Sequence, residues 1–293
     1  MSFKYAAVNR KLTSLIKKAM TIPMTLAHAI KKPLMLILFS FLLSGFAVSA
    51  SFAQEVKIIT FGDSLTAGLK RDASKNVTCP DGVALEPGRF GDSRMVCYGN
   101  GAVNAGGYQT DLATAISDIY FTPKIVNYGF SGMSTDGMLS QRSAVLSSLP
   151  GAQYVLILGG ANDAVAGISR STVLSNLTVI VNDVRNRGMI PIITTVTRNT
   201  RDAAFDSRSA LYADDIRQYA ANSNVLLADA RAAMLPVWGD FNSGDGLHLG
   251  PLGDQTLANL YFQSIGLVGT GAAGKKTSGL IAAYMLLLLN QPP

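Results

Sequence analysis

The chain has 293 residues, of which 48% are hydrophobic and 15% charged, and its formal net charge is +6. This length is enough for one α/β domain with a sizeable core. Residues 1–53 hold seven basic residues and no acidic one, which leaves 18 basic against 19 acidic residues and a net charge of −1 in the remainder. That remainder has no basic run interleaved with aromatic residues, and this excludes a nucleic-acid partner.

The first 53 residues have the pattern of a secretory signal. Two lysines precede an apolar run of 14 residues, 34–47, and small residues then offer cleavage after Ala50 or Ala53. The run is shorter than the roughly 20 residues that a spanning helix needs. We therefore predict an exported protein, periplasmic or extracellular, without a stable membrane span once the leader is removed. An uncleaved N-terminal anchor is the alternative.

The first predicted strand, residues 56–61, stops abruptly at Gly62 and is followed by Asp63 and Ser64. A strand that turns into a helix at this point leaves Ser64 at its carboxyl end, where open α/β sheets bind ligands. The helix N-terminus there adds N–H donors and a partial positive charge, which suit a nucleophilic oxygen. The alternative is an ordinary βα turn in which the serine caps the helix.

A long insert follows this turn, over residues 69–104. It is rich in glycine, proline, asparagine and aspartate, and we predict an irregular loop near the mouth of the site. The loop either shapes the substrate site or is decoration. Cys79 and Cys97 are the two cysteines of the chain. In an exported protein such a pair predicts a disulfide, with two unpaired thiols as the alternative.

The rest of the chain alternates between strand and helix patterns. Further strands are predicted at residues 124–128, 154–158, 189–196 and 224–228. Helices are predicted to begin after Gly107 and to cover residues 140–149, 171–187, 206–221 and 251–265. This alternation predicts a five-stranded parallel sheet covered by helices on both faces.

Because the chain has few histidines, few residues could act as the base that activates Ser64. The chain has two, His28 in the leader and His248. A serine hydroxyl is a weak nucleophile and needs an adjacent base, so a cleaved chain leaves only His248 for this task. Asp245 lies three residues earlier, and across a bend its carboxylate could hold the ring Nδ1–H. A surface or capping role for the histidine is the alternative.

Four sequence blocks occur in a fixed order along the chain. They are Gly62 to Leu65 (G-D-S-L), Asn127 to Gly132 (N-Y-G-F-S-G), Gly159 to Asp163 (G-G-A-N-D) and Asp245 to His248 (D-G-L-H). Together, over residues 57–265, they resemble the SGNH or GDSL-type hydrolase family of esterases and lipases. The resemblance implies a three-layer α/β/α sandwich of the flavodoxin-like SGNH hydrolase fold, with strand order 2-1-3-4-5.

The resemblance also implies residue roles. The catalytic residues would be Ser64, His248 and Asp245, and the oxyanion donors would be the backbone N–H groups of Ser64 and Gly132 and the side chain of Asn162. Met133 stands where many family members have an acidic residue that is not catalytic. No metal or cofactor is implied.

The implied activity is that of a secreted serine ester hydrolase acting through an acyl-enzyme. Residues 107–112 and the segment D-G-L-H-L-x-x-x-G are similar to parts of carbohydrate acetylesterases, which suggests an O-acetylated carbohydrate substrate. A short-chain acyl ester or a lysophospholipid is the other candidate. A non-hydrolytic carbohydrate- or partner-binding module is the alternative of another class. We divide the chain into a leader (1–53), the hydrolase domain (54–266) and a tail of unassigned role (267–293).

Overall fold

The computed structural model describes residues 55–89, 94–119 and 121–269. The predicted leader with His28, its cleavage points and residues 270–293 lie outside the described residues. Within the described part of the chain, no helix combines the length and the apolar character needed to cross a membrane.

The strands of the described residues form one central sheet and two small pairs. They are β1 (Glu55–Gly62), β2 (Lys70–Arg71), β3 (Val77–Thr78), β4 (Ala84–Pro87), β5 (Met95–Tyr98), β6 (Ala102–Val103), β7 (Thr122–Gly129), β8 (Tyr154–Leu158), β9 (Ile190–Thr194) and β10 (Leu226–Ala228). The order in the central sheet is β10-β9-β8-β1-β7-β6. Strands β7, β1, β8, β9 and β10 are neighbours in that order and pair in parallel. They are the five predicted strands, and numbered along the chain they have the implied order 2-1-3-4-5. The short antiparallel edge strand β6 was not predicted.

Helices of the described segments lie on both faces of the sheet. They are α1 (Ser64–Ala67), α2 (Tyr108–Ser117), α3 (Thr135–Ser147), α4 (Ala161–Ala166), α5 (Arg170–Asn186), α6 (Ala203–Ser223), α7 (Ala230–Met234), a 3₁₀ helix (Leu235–Val237), α8 (Trp238–Phe241) and α9 (Pro251–Gly269). Helix α2 packs against α9, whereas α5 packs against both α3 and α6. The two groups are the outer layers of an α/β/α arrangement.

Two helices begin earlier than their apolar periods indicate, because a polar N-cap decides the first residue. The Ser134 side chain accepts a hydrogen bond from the Gly137 N–H, so α3 starts five residues before its predicted start. The Asp202 side chain accepts from two N–H groups of the first turn of α6. The first turns of both helices consist mostly of small or polar residues, which is why hydrophobic periodicity does not detect them, although Thr135 in α3 is buried.

The insert is more ordered than predicted, and the expectation of an irregular loop was wrong. Strands β2 and β3 form one antiparallel pair, and β4 and β5 form another. Around the second pair, six buried residues make a small core: Ala67, Leu69, Val83, Val96, Cys97 and Tyr98. Cys79 and Cys97 form the predicted disulfide, with 5.5 Å between their Cα atoms.

The disulfide is expected to contribute measurably to stability, since it closes a loop across a separation of 18 residues. Replacing both cysteines with alanine should lower the free energy of unfolding by roughly 3 kcal/mol in the chain-entropy model. Urea unfolding of the variant measures this loss. Reduced wild-type protein should lose a similar amount, and reductant should leave the double variant unchanged. Equal urea midpoints for the oxidised wild-type protein, the reduced wild-type protein and the double variant would contradict the prediction.

Candidate active site

Ser64 is the first residue of α1, at the point where β1 ends. Asp63, and not the serine, is the N-cap, because its Oδ1 accepts a hydrogen bond from the Leu65 N–H at 2.9 Å. The alternative in which the serine caps the helix is therefore excluded. Gly62 makes this turn possible, since a Cβ there would lie 2.2 Å from the Leu158 carbonyl oxygen. The hydroxyl of Ser64 is left available for other contacts at the sheet edge.

Three predicted residues meet in one chain of hydrogen bonds. Ser64 Oγ lies 2.9 Å from His248 Nε2, and His248 Nδ1 lies 2.7 Å from Asp245 Oδ2. All three side chains are buried: Ser64 and His248 are 7% and 3% exposed, and the Asp245 side chain is 6% exposed. An imidazole held between a hydroxyl and a carboxylate in this way can take a proton from the hydroxyl.

The loop that carries Asp245 and His248 is bent so that both side chains face the same way. Asp245 Oδ1 accepts hydrogen bonds from the N–H groups of Leu247, at 3.0 Å, and His248, at 2.9 Å. Gly246 has a φ of +80°, a left-handed conformation that favours glycine. The carboxylate is thus fixed by its own loop before it meets the imidazole, which explains why the D-x-x-H spacing was informative.

Arg201 is a site residue that the sequence analysis missed. Its Nη2 donates to Asp245 Oδ2 and lies 3.1 Å from His248 Nδ1, and its Nε donates to the Asp245 carbonyl at 3.0 Å. The Thr200 N–H also donates to the Gly246 carbonyl, at 2.9 Å. Arg201 lies 44 residues before Asp245 in a loop without a recognisable motif. No local pattern could have identified it.

The surrounding residues determine the charge states of His248 and Asp245. Burial lowers the pKa of His248; Asp245 raises it, and the positive charges of Arg201 and Arg71 lower it further, so that the net shift is downward. Burial disfavours the charged form of Asp245, but hydrogen bonds and the charge of His248 outweigh it and hold its pKa well below the usual range. At neutral pH the imidazole is therefore neutral and the carboxylate ionised, as a general base and its orienting partner require.

Removing the charge of Arg201 is expected to change the pH dependence of catalysis. Arg201→Met should raise the pKa of His248, because a positive charge beside the imidazole is lost. Activity needs the neutral imidazole, so the acid limb of kcat/KM should move to higher pH. At optimal pH, the loss of orientation should lower kcat/KM by about tenfold to a hundredfold. A pH–rate profile with a soluble ester measures both effects.

Arg198 offers a matched control for this experiment. Its side chain is 32% exposed against 30% for Arg201, and it also holds a carboxylate, that of Asp206, through Nε at 3.1 Å and Nη2 at 2.8 Å. Arg198→Met should leave the acid limb where the wild-type protein has it. An acid limb that does not move in Arg201→Met, or that moves equally in both variants, would show that Arg201 does not tune His248.

Two residues predicted to bind an oxyanion lie on neighbouring turns. Gly132 has a φ of +80° in the turn that follows β7. Asn162 lies in the first turn of α4, and its Nδ2 donates to the carbonyl of Met133 at 2.9 Å. This bond ties the amide of Asn162 to the residue after Gly132. The roles of both residues as oxyanion donors stay predictions.

The turn that holds Gly132 is fixed to β1 and to the insert. The Phe130 N–H donates to the Gly62 carbonyl at 2.9 Å, which brings the turn to the end of the strand that delivers Ser64. Ser131 Oγ donates to the Cys97 carbonyl at 2.7 Å. Cys97 belongs to the disulfide, so the cross-linked insert supports the turn from the other side.

Comparison with known proteins is consistent with this geometry. The model of the GDSL-like lipase/acylhydrolase family matches residues 89–256, which is more than half of the chain. The matched range contains Gly132, Asn162, Asp245 and His248, and it begins after Ser64. A search of curated protein sequences found no match.

Solved structures share the fold at low sequence identity. Acetylxylan esterase Axe2 from Geobacillus stearothermophilus has a TM-score of 0.54 and 19% identity, covering 73% of this chain and 96% of Axe2. For the lipase/acylhydrolase from Enterococcus faecalis the values are 0.54 and 21%, with 72% and 95% covered. A lipolytic protein of the G-D-S-L family from Veillonella parvula gives 0.51 and 18%, with 71% and 97% covered. These likenesses show the fold.

Proposed function

Because this chain belongs to the GDSL-like lipase/acylhydrolase family of carboxylic ester hydrolases, we propose that it cleaves esters through an acyl-enzyme formed on Ser64. The observation that carries the proposal is the buried chain of hydrogen bonds from Ser64 through His248 to Asp245. A nucleophile, its base and the group that orients the base are thereby in contact before any substrate arrives.

The proposed reaction has two halves. Ser64 Oγ attacks the ester carbonyl carbon while His248 Nε2 takes the hydroxyl proton, and the resulting imidazolium then protonates the departing alcohol as the C–O bond breaks. Water next attacks the acyl carbon while His248 takes a proton from it, and the imidazolium then protonates Ser64 Oγ as the bond between Oγ and the acyl carbon breaks and the carboxylic acid leaves. Asp245 stays ionised throughout, because its carboxylate stabilises the imidazolium that forms in each half.

The oxyanion of each tetrahedral intermediate needs preorganised donors. We assign this role to the N–H groups of Ser64 and Gly132 and to the amide of Asn162. Two observations support the assignment: Ser64 begins a helix, and Asn162 is anchored beside the Gly132 turn. Removing one such donor typically costs about 3 kcal/mol of transition-state stabilisation.

The proposed substrate is a carboxylic ester, either an O-acetylated carbohydrate or a short-chain acyl or lysophospholipid ester. The acetylxylan esterase among the structures of similar fold supports the first class. The proposed location is outside the cytoplasm, periplasmic or extracellular. The disulfide supports this location, since such bonds persist in oxidising compartments.

Acid release together with active-site labelling tests the proposal. The protein should hydrolyse p-nitrophenyl acetate, butyrate or palmitate or acetylated xylan, with and without a chelator. A fluorophosphonate should label the peptide that contains Ser64 and abolish turnover in proportion to labelling. A protein that binds acetylated carbohydrate at equilibrium, without releasing acid and without labelling, would instead be a binding module on an esterase fold.

A further inference from the structure

A cavity of about 550 Å³ opens beside the active site, between the insert and the loop that carries Asp245. Among the described residues, four basic ones line it: Arg71, Lys75, Arg94 and Arg201. Two acidic residues, Asp72 and Asp245, also reach its wall. We call this cavity the cationic pocket. The proposed catalytic chemistry requires no such concentration of positive charge.

The two acidic residues offset only part of the positive charge, because four cations face two carboxylates. Asp72 accepts hydrogen bonds from Asn76, at 3.0 Å from the N–H and 3.1 Å from Nδ2, and these bonds lower its pKa. Asp245 is held by His248 and Arg201. Both carboxylates stay ionised, so the described lining keeps a net charge of +2, from four cations and two carboxylates. The chain beyond residue 53 has a net charge of −1, so the cationic pocket is a local feature of its surface.

The position of the pocket relative to Ser64 suits a distal part of the substrate. Asp245 lies in the pocket wall, and one imidazole ring with hydrogen bonds of 2.7 and 2.9 Å separates it from Ser64 Oγ. A group several bonds away from the reacting ester is therefore needed to reach the pocket.

The pocket wall is fixed to the catalytic loop by Ser243. The Arg71 N–H donates to Ser243 Oγ at 3.1 Å, and that hydroxyl donates to the Arg71 carbonyl at 2.8 Å. The Arg71 side chain is only 6% exposed, whereas Lys75 and Arg94 are exposed. The insert thus presents two exposed cations, Lys75 and Arg94, on a wall that hydrogen bonds tie to the catalytic loop.

We propose that the cationic pocket binds an anionic group, a carboxylate or a phosphate, on the non-reacting part of the ester substrate. Guanidinium and ammonium groups are the usual partners of such oxyanions in proteins. Lys75 and Arg94 contact the anion, and the buried Arg71 adds positive potential, whereas the charge of Arg201 is balanced by Asp245. This inference rests on the proposed function and narrows it: an acidic sugar ester or a phosphate-bearing lipid ester is preferred to a neutral acetylated polysaccharide.

Matched ester pairs test the preference. Mono-p-nitrophenyl glutarate is compared with p-nitrophenyl pentanoate for an anion on the acyl side. On the alcohol side, an acetylated glucuronoside is compared with the acetylated glucoside, and acetylglycerol phosphate with acetylglycerol. In at least one pair, kcat/KM should be about tenfold or more higher for the anionic ester, and the ratio should fall as salt is added. The second and third pairs separate a sugar acid from a phosphate.

Charge-removing variants locate the preference. Lys75→Gln and Arg94→Gln should each lower the ratio of anionic to neutral kcat/KM by about twofold to fivefold, as expected for one partly solvated charge contact. Lys124→Gln is the matched control, because it removes one positive charge near the amino end of β7, at the opposite edge of the sheet. Its ratio should equal that of the wild-type protein.

Binding without turnover separates this inference from the proposed function. Glycerol 3-phosphate or glutarate should bind the Ser64→Ala protein in NMR titrations, more weakly after Lys75→Gln, whereas glycerol should not bind. Binding that depends on Lys75, without any ester hydrolysis, would support the anion-binding pocket and contradict the proposed hydrolase function. Equal kcat/KM values for charged and neutral esters would contradict the proposal that the pocket binds an anion. The same holds if Lys124→Gln lowers the ratio of anionic to neutral kcat/KM as much as Lys75→Gln does.

Discussion

Replacing Ser64 with alanine is expected to lower kcat for ester hydrolysis by at least about a thousandfold. The hydroxyl lies 2.9 Å from His248 Nε2 and is the proposed nucleophile, and alanine has no group to replace it. The fold should survive, because the side chain is small and alanine is well tolerated in the first turn of a helix. Steady-state hydrolysis of p-nitrophenyl acetate measures the loss, and thermal unfolding verifies the fold.

A second buried serine provides the control for this variant. Ser209 on α6 is fully buried, and within the described residues its hydroxyl has no hydrogen-bond partner. Ser209→Ala should therefore retain wild-type activity with little change in melting temperature. A folded Ser64→Ala protein that keeps more than about a tenth of wild-type kcat would exclude the acyl-enzyme mechanism.

Replacing Gly129 with alanine is expected to have the largest effect on stability. A Cβ at this position would lie 1.9 Å from the Ala67 backbone nitrogen and 2.5 Å from both the Ala67 Cα and the Thr66 carbonyl carbon. These are backbone atoms of α1, so no side-chain rotation can relieve the clash. Overpacking against a fixed backbone should lower the free energy of unfolding by about 3 kcal/mol or more.

The same substitution should also reduce activity in whatever protein remains folded. Helix α1 begins with Ser64, so a shift of α1 away from β7 moves the nucleophile relative to His248. Displacements of about 1 Å can cost a hundredfold in rate. Urea unfolding and kcat/KM, measured on the same preparation, report the two effects.

Gly239 is the matched control for the glycine prediction. A Cβ there meets no atom of the described chain within 4 Å, and the residue is not among those with a positive φ. Gly239→Ala should change the free energy of unfolding by no more than about 0.5 kcal/mol. Equal stability losses in the two variants would mean that the close approach of β7 and α1 is not what excludes a side chain at Gly129.

Local sequence patterns were sufficient for the parts of the fold that depend on neighbouring residues. The continuous apolar run of β8 predicted a strand buried on both faces, and four of its five residues are buried. The apolar period of α5 predicted that helix to within one residue at each end. Helix starts were less accurate, because a polar cap and a first turn of mostly small or polar residues carry no hydrophobic pattern.

The principal site contacts were predictable for a reason particular to this composition. With two histidines in the chain and one of them in the predicted leader, His248 was the histidine expected to act as base, and Asp245 lay within one bend of it. Ser64 was marked by the abrupt end of an apolar strand at a glycine. The resemblance to the SGNH hydrolases supplied the strand order, which no local pattern contains.

By itself, the sequence determined the secondary structure of the core, the disulfide pair and the residues that meet at the candidate active site. These follow from the apolar periodicity of strands and helices, from the small numbers of cysteines and histidines, and from the short spacing between Asp245 and His248. The tertiary structure alone decided that Arg201 holds Asp245, that the insert forms paired strands, and that Lys75 and Arg94 share a pocket with the catalytic loop. Those contacts join residues far apart in the chain. Their formation depends on how the sheet and insert bring loops together, which no local pattern encodes.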